Sequence, residues 1–189
     1  MTIEEKISEA LKLSYANPVP FKGGELVAEW QSFTPFFFYL VGVMKPESIF
    51  EWGPGQSTNV FLRADEKVKI VSIESEMKWA NRWWEELLVK NKEWMTRLQF
   101  IITCSPKDYI RTVFPDGSFD IVLVDGGMRY ECMNEAERLT KIGGIILCHD
   151  MQIPGYFDSV NSALSKEKTK FICDHVGHAG VRTSIWIRV

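Results

Sequence analysis

The chain has 189 residues, of which 46% are hydrophobic and 25% charged, the composition of a globular domain with room for one sizeable core. Its formal net charge of -3 does not favour the phosphate backbone of a nucleic acid as the main partner. The longest nearly apolar stretch, residues 33–44, is too short to span a bilayer and contains Pro35 and Gly42, so no membrane is expected as a partner.

Two helices are predicted in the first 45 residues, ahead of any strand. Residues 2–5, Thr-Ile-Glu-Glu, have the pattern of a capping box, and Ile7 and Leu11 continue one apolar face. The second helix is predicted over residues 35–43, where closely spaced aromatic residues are typical of packing against a core or a sheet. Between the helices, residues 22–24 form a Lys-Gly-Gly loop that would either lie over a binding site or be a solvated connection.

From residue 48 onward, strands alternate with helices. The predicted strands cover residues 48–52, 69–73, 98–103, 120–124, 144–148, 170–174 and 183–189. The predicted helices cover residues 57–64, 78–89, 106–113, 131–139 and 156–165. This alternation indicates a parallel sheet covered on both faces, and the last two strands, joined without a helix, indicate an antiparallel edge strand.

We therefore predict an α/β fold with a Rossmann-like, seven-stranded, mostly parallel sheet, one antiparallel edge strand and helices on both faces. No linker interrupts the pattern, so residues 1–189 would form a single domain. Within it, residues 1–45 would supply helices that cover the site, and residues 46–189 would form the cofactor-binding core.

Ligands of such sheets bind beyond the carboxyl ends of the strands, and four of the first five strand ends carry a carboxylate. These ends are Glu51 to Gly55, Glu74, Cys104 with Ser105, Asp125, and His149 with Asp150. At the first end, two glycines separated by one residue let backbone N–H groups approach a ligand, and the helix that follows adds its positive end. A glutamate beside that turn suits a cationic or hydroxyl-bearing ligand better than a phosphate.

Taken together, segments 51–58, 72–74, 103–105, 119–130 and 143–150 are similar to the motifs of one family. With them, the chain from about Thr34 to its C-terminus resembles the class I S-adenosylmethionine-dependent methyltransferases. Within that family it is most similar to the small O-methyltransferase branch that includes the catechol-type enzymes. The combination of five segments is much more specific than any one of them.

The resemblance implies a position for each part of S-adenosylmethionine. Glu74 would accept hydrogen bonds from both ribose hydroxyls, and Cys104 and Ser105 would contact the adenine. A carboxylate on a diol discriminates well, because a ligand without the hydroxyls leaves a buried acceptor unpaired. The acidic end of the fourth strand, Asp125, would also face the cofactor. The methionine end would lie against the first motif, which contributes Glu51, Gly53, Pro54, Gly55, Ser57 and Thr58.

Three interpretations of the fourth and fifth strand ends remain open. In the catechol-type branch a divalent cation bridges the substrate oxygens, and its ligands correspond by position to Asp125, His149 and Asp150. Two carboxylates suit Mg²⁺, whereas a histidine among the ligands shifts the preference towards a softer ion such as Mn²⁺. Alternatively, His149 would act as a general base, since the unperturbed pKa of histidine lies near neutrality. In the third interpretation, Asp150 caps a loop and His149 is a packed, hydrogen-bonded residue.

The expected function is S-adenosylmethionine-dependent methylation of an oxygen on a small-molecule acceptor. Two alternatives are an NAD-binding oxidoreductase or epimerase on a related sheet, and a catalytically inactive binding protein with the methyltransferase fold. The third glycine of the dinucleotide pattern G-x-G-x-x-G would fall at Thr58 and is absent, which favours the methyltransferase.

We also expect a partner chain and a reducing compartment. Few residues are available to bind an acceptor, so a homodimer partner would complete the site. The four cysteines are far apart, and the chain begins without a secretory signal. We therefore expect reduced thiols in a cytoplasmic protein.

Overall fold

The structure is a computed structural model that describes residues 1–16, 33–83, 85, 92–177 and 180–189. The predicted loop at residues 22–24 and the second half of the helix predicted over residues 78–89 lie largely outside the described residues. No described helix is both long and apolar enough to cross a membrane. All four cysteines are free.

The order of elements along the chain follows the predicted alternation. The helices are α1 (Ile3–Ala16), α2 (Thr34–Met44), α3 (Gln56–Ala64), α4 (Met77–Trp83), α5 (Pro106–Ile110), α6 (Arg129–Leu139) and α7 (Tyr156–Ala163). The strands are β1 (Ser48–Trp52), β2 (Lys69–Glu74), β3 (Leu98–Ile102), β4 (Phe119–Val124), β5 (Thr140–Cys148), β6 (Thr169–Val176) and β7 (Arg182–Arg188). A 3₁₀ helix, Lys92–Thr96, precedes β3.

The seven strands form one sheet in the order β3-β2-β1-β4-β5-β7-β6. Strands β1 to β5 are parallel, and β7 pairs antiparallel with both β5 and β6. The predicted seven-stranded, mostly parallel α/β sheet is therefore confirmed. Because the chain returns from β6 into the gap beside β5, the antiparallel strand lies one place in from the edge of the sheet.

Both faces of the sheet are covered, and residues alternate between them along each strand. Ile49 and Leu123 lie in an apolar cluster with residues of α1, α2 and α3. Their neighbours Phe50 and Val122 lie in a second cluster with residues of α5, α6 and α7. Continuous apolar strands are expected where both faces of a sheet are buried. This arrangement leaves the strand ends as the positions where polar side chains can gather.

Two N-terminal features agree with the local sequence. Thr2 and Glu5 form the predicted capping box: the Glu5 N–H donates to Thr2 Oγ1 at 3.1 Å, and the Thr2 N–H donates to Glu5 Oε2 at 2.7 Å. Helix α2 carries Pro35 in its first turn and ends at Met44; the residue that caps it, Lys45, has a left-handed φ of 53°. Pro46 follows and cannot continue the helix.

Two predicted boundaries were wrong by three residues or more. Helix α5 ends at Ile110 instead of residue 113, and β5 begins at Thr140 instead of Gly144. Thr140 pairs with Phe119, and a bulge between Phe119 and Ile121 accommodates the extra residues. The adjacent glycines in this stretch are typical of a loop, so the sequence pattern hid the start of the strand.

Candidate functional site

The carboxyl ends of the parallel strands β1 to β5 lie at one edge of the sheet. We call this edge the rim; it comprises the last residue of each of these strands and the residues that follow it. The Gly53 N–H donates to the Ile73 carbonyl at 3.0 Å, and the Asp125 N–H donates to the Trp52 carbonyl at 3.0 Å. The turn after β1 is therefore held between the end of β2, which carries Glu74, and the end of β4, which carries Asp125.

Gly53 is required by its conformation and by its neighbours. Its φ is +80°, and a Cβ built there would lie 2.8 Å from the Asp125 carbonyl oxygen and 2.8 Å from the Gly126 nitrogen. Residues other than glycine rarely adopt this φ, and backbone atoms at that distance cannot move aside easily. The sequence predicted close approach of this turn to a ligand; the structure adds a close approach to the turn after β4.

Glu51 is enclosed by hydroxyl groups behind the turn. Its side chain is completely buried and accepts hydrogen bonds from Ser57 Oγ at 2.9 Å, Thr58 Oγ1 at 2.5 Å and Ser72 Oγ at 2.5 Å. Thr58 Oγ1 also accepts the Gly55 N–H at 3.0 Å. Burial raises the pKa of Glu51 to about 7, although the three hydroxyl donors oppose that shift. Glu51 thus connects β1, β2 and the start of α3, and its contact with a cofactor stays a prediction.

Helix α4 holds the outer side of the same turn. Trp79 Nε1 donates to the Pro54 carbonyl at 2.9 Å. The ring of Trp83 lies 3.5 Å from the position that a Cβ on Gly55 would take, and it packs at 6.2 Å from the Trp79 ring. The sequence predicted that these tryptophans pack a helix face. Their contacts with the glycine turn could not be predicted from spacing alone.

Glu74 is fixed at the end of β2 by the backbone that follows it. Its side chain is buried, and Oε1 accepts the N–H groups of Ser75 at 2.6 Å and Glu76 at 2.7 Å. Burial raises the pKa of Glu74, against the effect of these two hydrogen bonds. The predicted contact with a ribose would use the other carboxylate oxygen.

The end of β3 lies beside Glu74, because the Thr103 N–H donates to the Glu74 carbonyl at 3.0 Å. Cys104 is exposed there. The side chain of Ser105 accepts the Asp108 N–H at 3.3 Å and caps α5. Both residues are at the rim, as predicted, and their contact with adenine stays a prediction.

An arginine joins the acidic ends of β4 and β5. Arg129 Nη2 donates to Asp125 Oδ1 at 3.2 Å and to Asp150 Oδ2 at 2.8 Å. Burial raises the pKa of Asp125 to about 7; the charge of Arg129 opposes this shift, and that of Asp150 adds to it. Asp150 adopts a φ of 63°, in the left-handed region that aspartate tolerates better than most residues.

His149 is a packed residue beneath the rim. It is 4% exposed, and its Nδ1 shares a 2.8 Å hydrogen bond with Thr183 Oγ1. The ring of Phe33 lies edge-on at 4.7 Å, and Nε2 is 3.9 Å from Asp150 Oδ1. Burial lowers the pKa of His149 to about 4, against the effect of Asp150. Because Nδ1 is bonded to Thr183 and the ring packs against Phe33, the geometry favours the packed, hydrogen-bonded interpretation of His149.

Comparison with solved structures identifies the fold. The O-methyltransferase TomG from Streptomyces achromogenes, solved in complex with SAM, is 17% identical, with a TM-score of 0.63 over 98% of this chain and 90% of that chain. Cofactor-bound Rv0187 from MTB is 18% identical, with a TM-score of 0.64 over 97% of this chain and 89% of that chain. This chain has the fold of the class I S-adenosylmethionine-dependent methyltransferases.

Spermidine synthase from Thermotoga maritima is 14% identical, with a TM-score of 0.56 over 76% of this chain and 53% of that chain. No protein-family model matches the chain, and no curated protein has a matching sequence. At these identities the likeness is one of fold.

The methyltransferase fold brings Asp125, His149 and Asp150 together, as predicted, but their arrangement does not fit a divalent cation. The guanidinium of Arg129 lies between the two carboxylates, and His149 directs Nδ1 to Thr183. Within the part of the chain that the structure describes, no group of three metal-binding side chains is suited to hold an ion. Two of the predicted metal ligands, Asp125 and Asp150, are instead ion-paired with Arg129 here. No sequence signal indicated this pairing, because Asp125 precedes the start of α6 at Arg129 and the helical i,i+4 spacing does not apply to it.

Large apolar side chains are exposed in the segments that follow β4 and β5, up to the first turns of α6 and α7. They are Met128, Tyr130, Ile153 and Tyr156. Arg129 lies over the Tyr156 ring at 5.8 Å from its centroid, which connects this apolar group to the acidic cluster. Exposed aromatic side chains beside buried charges suit a small molecule that has an apolar body and one polar group.

Proposed function

We propose that this chain is a methyltransferase that uses S-adenosylmethionine to methylate an oxygen of a small molecule. The carrying observation is that the Gly53 turn lies between Glu74 and Asp125, at the carboxyl rim of a sheet with methyltransferase strand order. The fold is shared with TomG, an O-methyltransferase solved in complex with SAM. Methyl transfer to oxygen is the reaction that best accounts for this combination.

The sheet order supports this function over an NAD-binding oxidoreductase. In the usual dinucleotide-binding sheet, a sixth parallel strand follows β5, whereas antiparallel β7 takes that place here. Thr58 stands where the third glycine of the dinucleotide pattern would be. It is buried, and it bonds both Glu51 and the Gly55 N–H. This threonine therefore stabilises a turn that differs from the G-x-G-x-x-G turn of dinucleotide-binding proteins.

In the proposed complex, the cofactor lies across the rim from β1 to β3. The methionine end lies against Gly53, Pro54 and Gly55, with Asp125 beside it. The ribose hydroxyls donate to Glu74, and the adenine lies at Cys104 and Ser105. Bound in this way, S-adenosylmethionine would supply a methyl group activated by its sulfonium.

The acceptor hydroxyl must be aligned with that methyl group and must lose its proton. We propose that Asp150 accepts the proton of the hydroxyl, because the side chain of Asp150 is 33% exposed whereas that of Asp125 is 9% exposed. The apolar side chains after β4 and β5 would hold the body of the acceptor. Residues 1–45 would cover this site within a single domain of residues 1–189, in a cytoplasmic protein. A homodimer stays a prediction.

Calorimetric titration with S-adenosylhomocysteine tests the proposed cofactor site. Substituting Glu74→Gln keeps the shape of the side chain but replaces one acceptor oxygen with a donor, so we expect about tenfold weaker binding or more. The matched control is Glu76→Gln, an exposed neighbour, which should leave the affinity unchanged. If NAD bound in the same titration and S-adenosylhomocysteine did not, the proposed function would be contradicted.

Turnover distinguishes an enzyme from a binding protein of the same fold. Release of S-adenosylhomocysteine should be measured across a panel of phenols, alcohols and amines. The proposal expects turnover on a hydroxyl acceptor. Cofactor binding without turnover on any member of the panel would favour the inactive binding protein.

A further inference from the structure

In the ion cluster at the ends of β4 and β5, one arginine bridges two carboxylates. Arg129, the first residue of α6, contacts Asp125 twice: its Nη2 lies 3.2 Å from Oδ1 and 3.3 Å from the carbonyl oxygen. The same Nη2 lies 2.8 Å from Asp150 Oδ2. One nitrogen thus bridges two strand ends through carboxylate oxygens.

We propose that Arg129 is the built-in cation of this site, and that it takes the position and the positioning role of a divalent metal ion. Methyl transfer by this chain would then need no metal. This inference rests on the proposed function, but its first test is independent of activity.

At the two oxygens that Arg129 contacts, Asp125 Oδ1 and Asp150 Oδ2, the guanidinium and a metal ion are mutually exclusive. Carboxylate oxygens hold Mg²⁺ or Ca²⁺ at about 2.0–2.6 Å, so an ion shared by Asp125 Oδ1 and Asp150 Oδ2 would require Nη2 to leave. Arginine keeps its proton in proteins, and so it would have to leave as a charge. Its side chain is 15% exposed and packs over Tyr156, which opposes that departure.

The guanidinium also fixes the carboxylate to which we assign the proton. Asp150 Oδ2 bonds Arg129, whereas Oδ1 lies 3.3 Å from Gln152 Nε2 and 3.9 Å from His149 Nε2. Arg129 is therefore a positioning residue that orients Asp150. A monovalent, delocalised charge polarises an acceptor oxygen less than a divalent ion does.

The acceptor class follows from that weaker polarisation. Phenols ionise near a pKa of about 10, as tyrosine does, whereas the pKa of water and comparable hydroxyls is far higher. A site without a metal also has no need for two adjacent oxygens on the acceptor. The proposal therefore expects a phenol with a single hydroxyl to be a sufficient acceptor.

The first test is a titration with Mn²⁺ followed by electron paramagnetic resonance, which reports free ion. Wild-type protein should take up no Mn²⁺ at this site. Arg129→Ala should bind the ion at least about tenfold more tightly than wild type, because it frees two carboxylates. Circular dichroism checks that each variant is folded. If Arg129→Ala does not fold, Arg129→Lys, which keeps a cation at this position, is compared with wild type in its place.

Two results would overturn the proposal: uptake of Mn²⁺ by wild type that Asp125→Asn abolishes, or no greater uptake by Arg129→Ala than by wild type. Because neither depends on turnover, a chain without methyltransferase activity would not be confused with a failed inference.

The second test uses turnover on a monohydroxylated phenol with and without EDTA. Wild-type kcat should change less than about twofold with chelator. Arg129→Ala should lower kcat with little change in the KM for S-adenosylmethionine, and Arg129→Lys should recover part of the loss. Loss of wild-type turnover in EDTA, restored by Mg²⁺ or Mn²⁺, would overturn the proposal.

Discussion

At the scale of single residues, Gly53 determines how closely the ends of β1 and β4 approach. Its left-handed φ turns the chain at the end of β1, and its missing side chain admits the backbone of Asp125 and Gly126. Every proposed cofactor contact at the methionine end depends on that approach. A methyl group at this position would therefore act on both the fold and the site.

We expect Gly53→Ala to lower the free energy of unfolding by about 1–3 kcal/mol, because alanine is strained at this φ and its Cβ meets backbone atoms. Urea denaturation measures the loss. Gly127→Ala is the matched control on the same rim: a Cβ there meets nothing within 4 Å, and its φ is not in the left-handed region. An equal loss in both variants would contradict this account of Gly53.

Some residues of the site were predictable, because the ends of parallel strands must share one edge of a sheet. Glu74, Asp125 and Asp150 were located in this way. The partners of His149 and Arg129 were not, since they come from other elements: Thr183 from β7, Phe33 from the chain before α2, and two different strand ends. Sequence spacing contains no information about such contacts.

At the scale of elements, α4 supports the glycine turn from outside the sheet. The hydrogen bond from Trp79 Nε1 to the Pro54 carbonyl joins a helix to the turn 25 residues earlier in the chain. Helix α3 holds the same turn from within, through Ser57 and Thr58 on Glu51. The turn is therefore positioned by two helices, and loss of one contact should loosen it without unfolding the sheet.

Trp79→Phe keeps a large aromatic side chain and removes the donor. We expect S-adenosylhomocysteine to bind roughly five- to tenfold more weakly, in line with one lost hydrogen bond of about 1 kcal/mol. Calorimetry measures the affinity. The control is Trp94→Phe, a buried tryptophan in the 3₁₀ helix that packs under Arg63 and should affect stability alone. Equal affinity for wild type and Trp79→Phe would show that the hydrogen bond does not position the turn.

Element boundaries were predictable where the hydrophobic period was uninterrupted. The bounds of β1 agree with the prediction, since an apolar run there ends in a glycine turn. The prediction for β5 failed because Gly143 and Gly144 interrupt its pattern. In the structure, Gly144 has a packing reason to be glycine: a Cβ there would lie 2.9 Å from the Asp120 carbonyl oxygen. Adjacent glycines occur both in loops and where strands pack closely, so the sequence does not distinguish the two.

For the whole molecule, two buried acids make stability depend on pH in an unusual direction. Glu51 and Asp125 both have a pKa raised to about 7, chiefly by burial. An acid with a raised pKa in the folded state binds its proton more tightly there than in the unfolded chain. Each such group stabilises the fold fully below its unfolded pKa, and that stabilisation is lost as the pH rises through the folded value.

Glu51→Gln tests this linkage, because glutamine is neutral at every pH. The pKa of Glu51 rises from 4.5 to about 7, so the free energy of unfolding of wild type, minus that of the variant, should fall between these pH values. The expected fall is about 3 kcal/mol, from about 1.4 kcal/mol for each unit of pKa. Urea denaturation at intervals of half a pH unit measures it.

The difference between variants is needed because other acids oppose the trend: the pKa of Glu135 is lowered, chiefly by Arg138 against its burial, and that of Asp120 is lowered by Lys141 and Ser48 in the same way. These acids stabilise the fold as the pH rises, and they contribute equally to wild type and Glu51→Gln. The control is Glu66→Gln at an exposed position, measured in the same way. A constant difference for Glu51→Gln from pH 4.5 to pH 7 would mean that its carboxylate is ionised in the folded protein throughout, held by the hydroxyls of Ser57, Thr58 and Ser72.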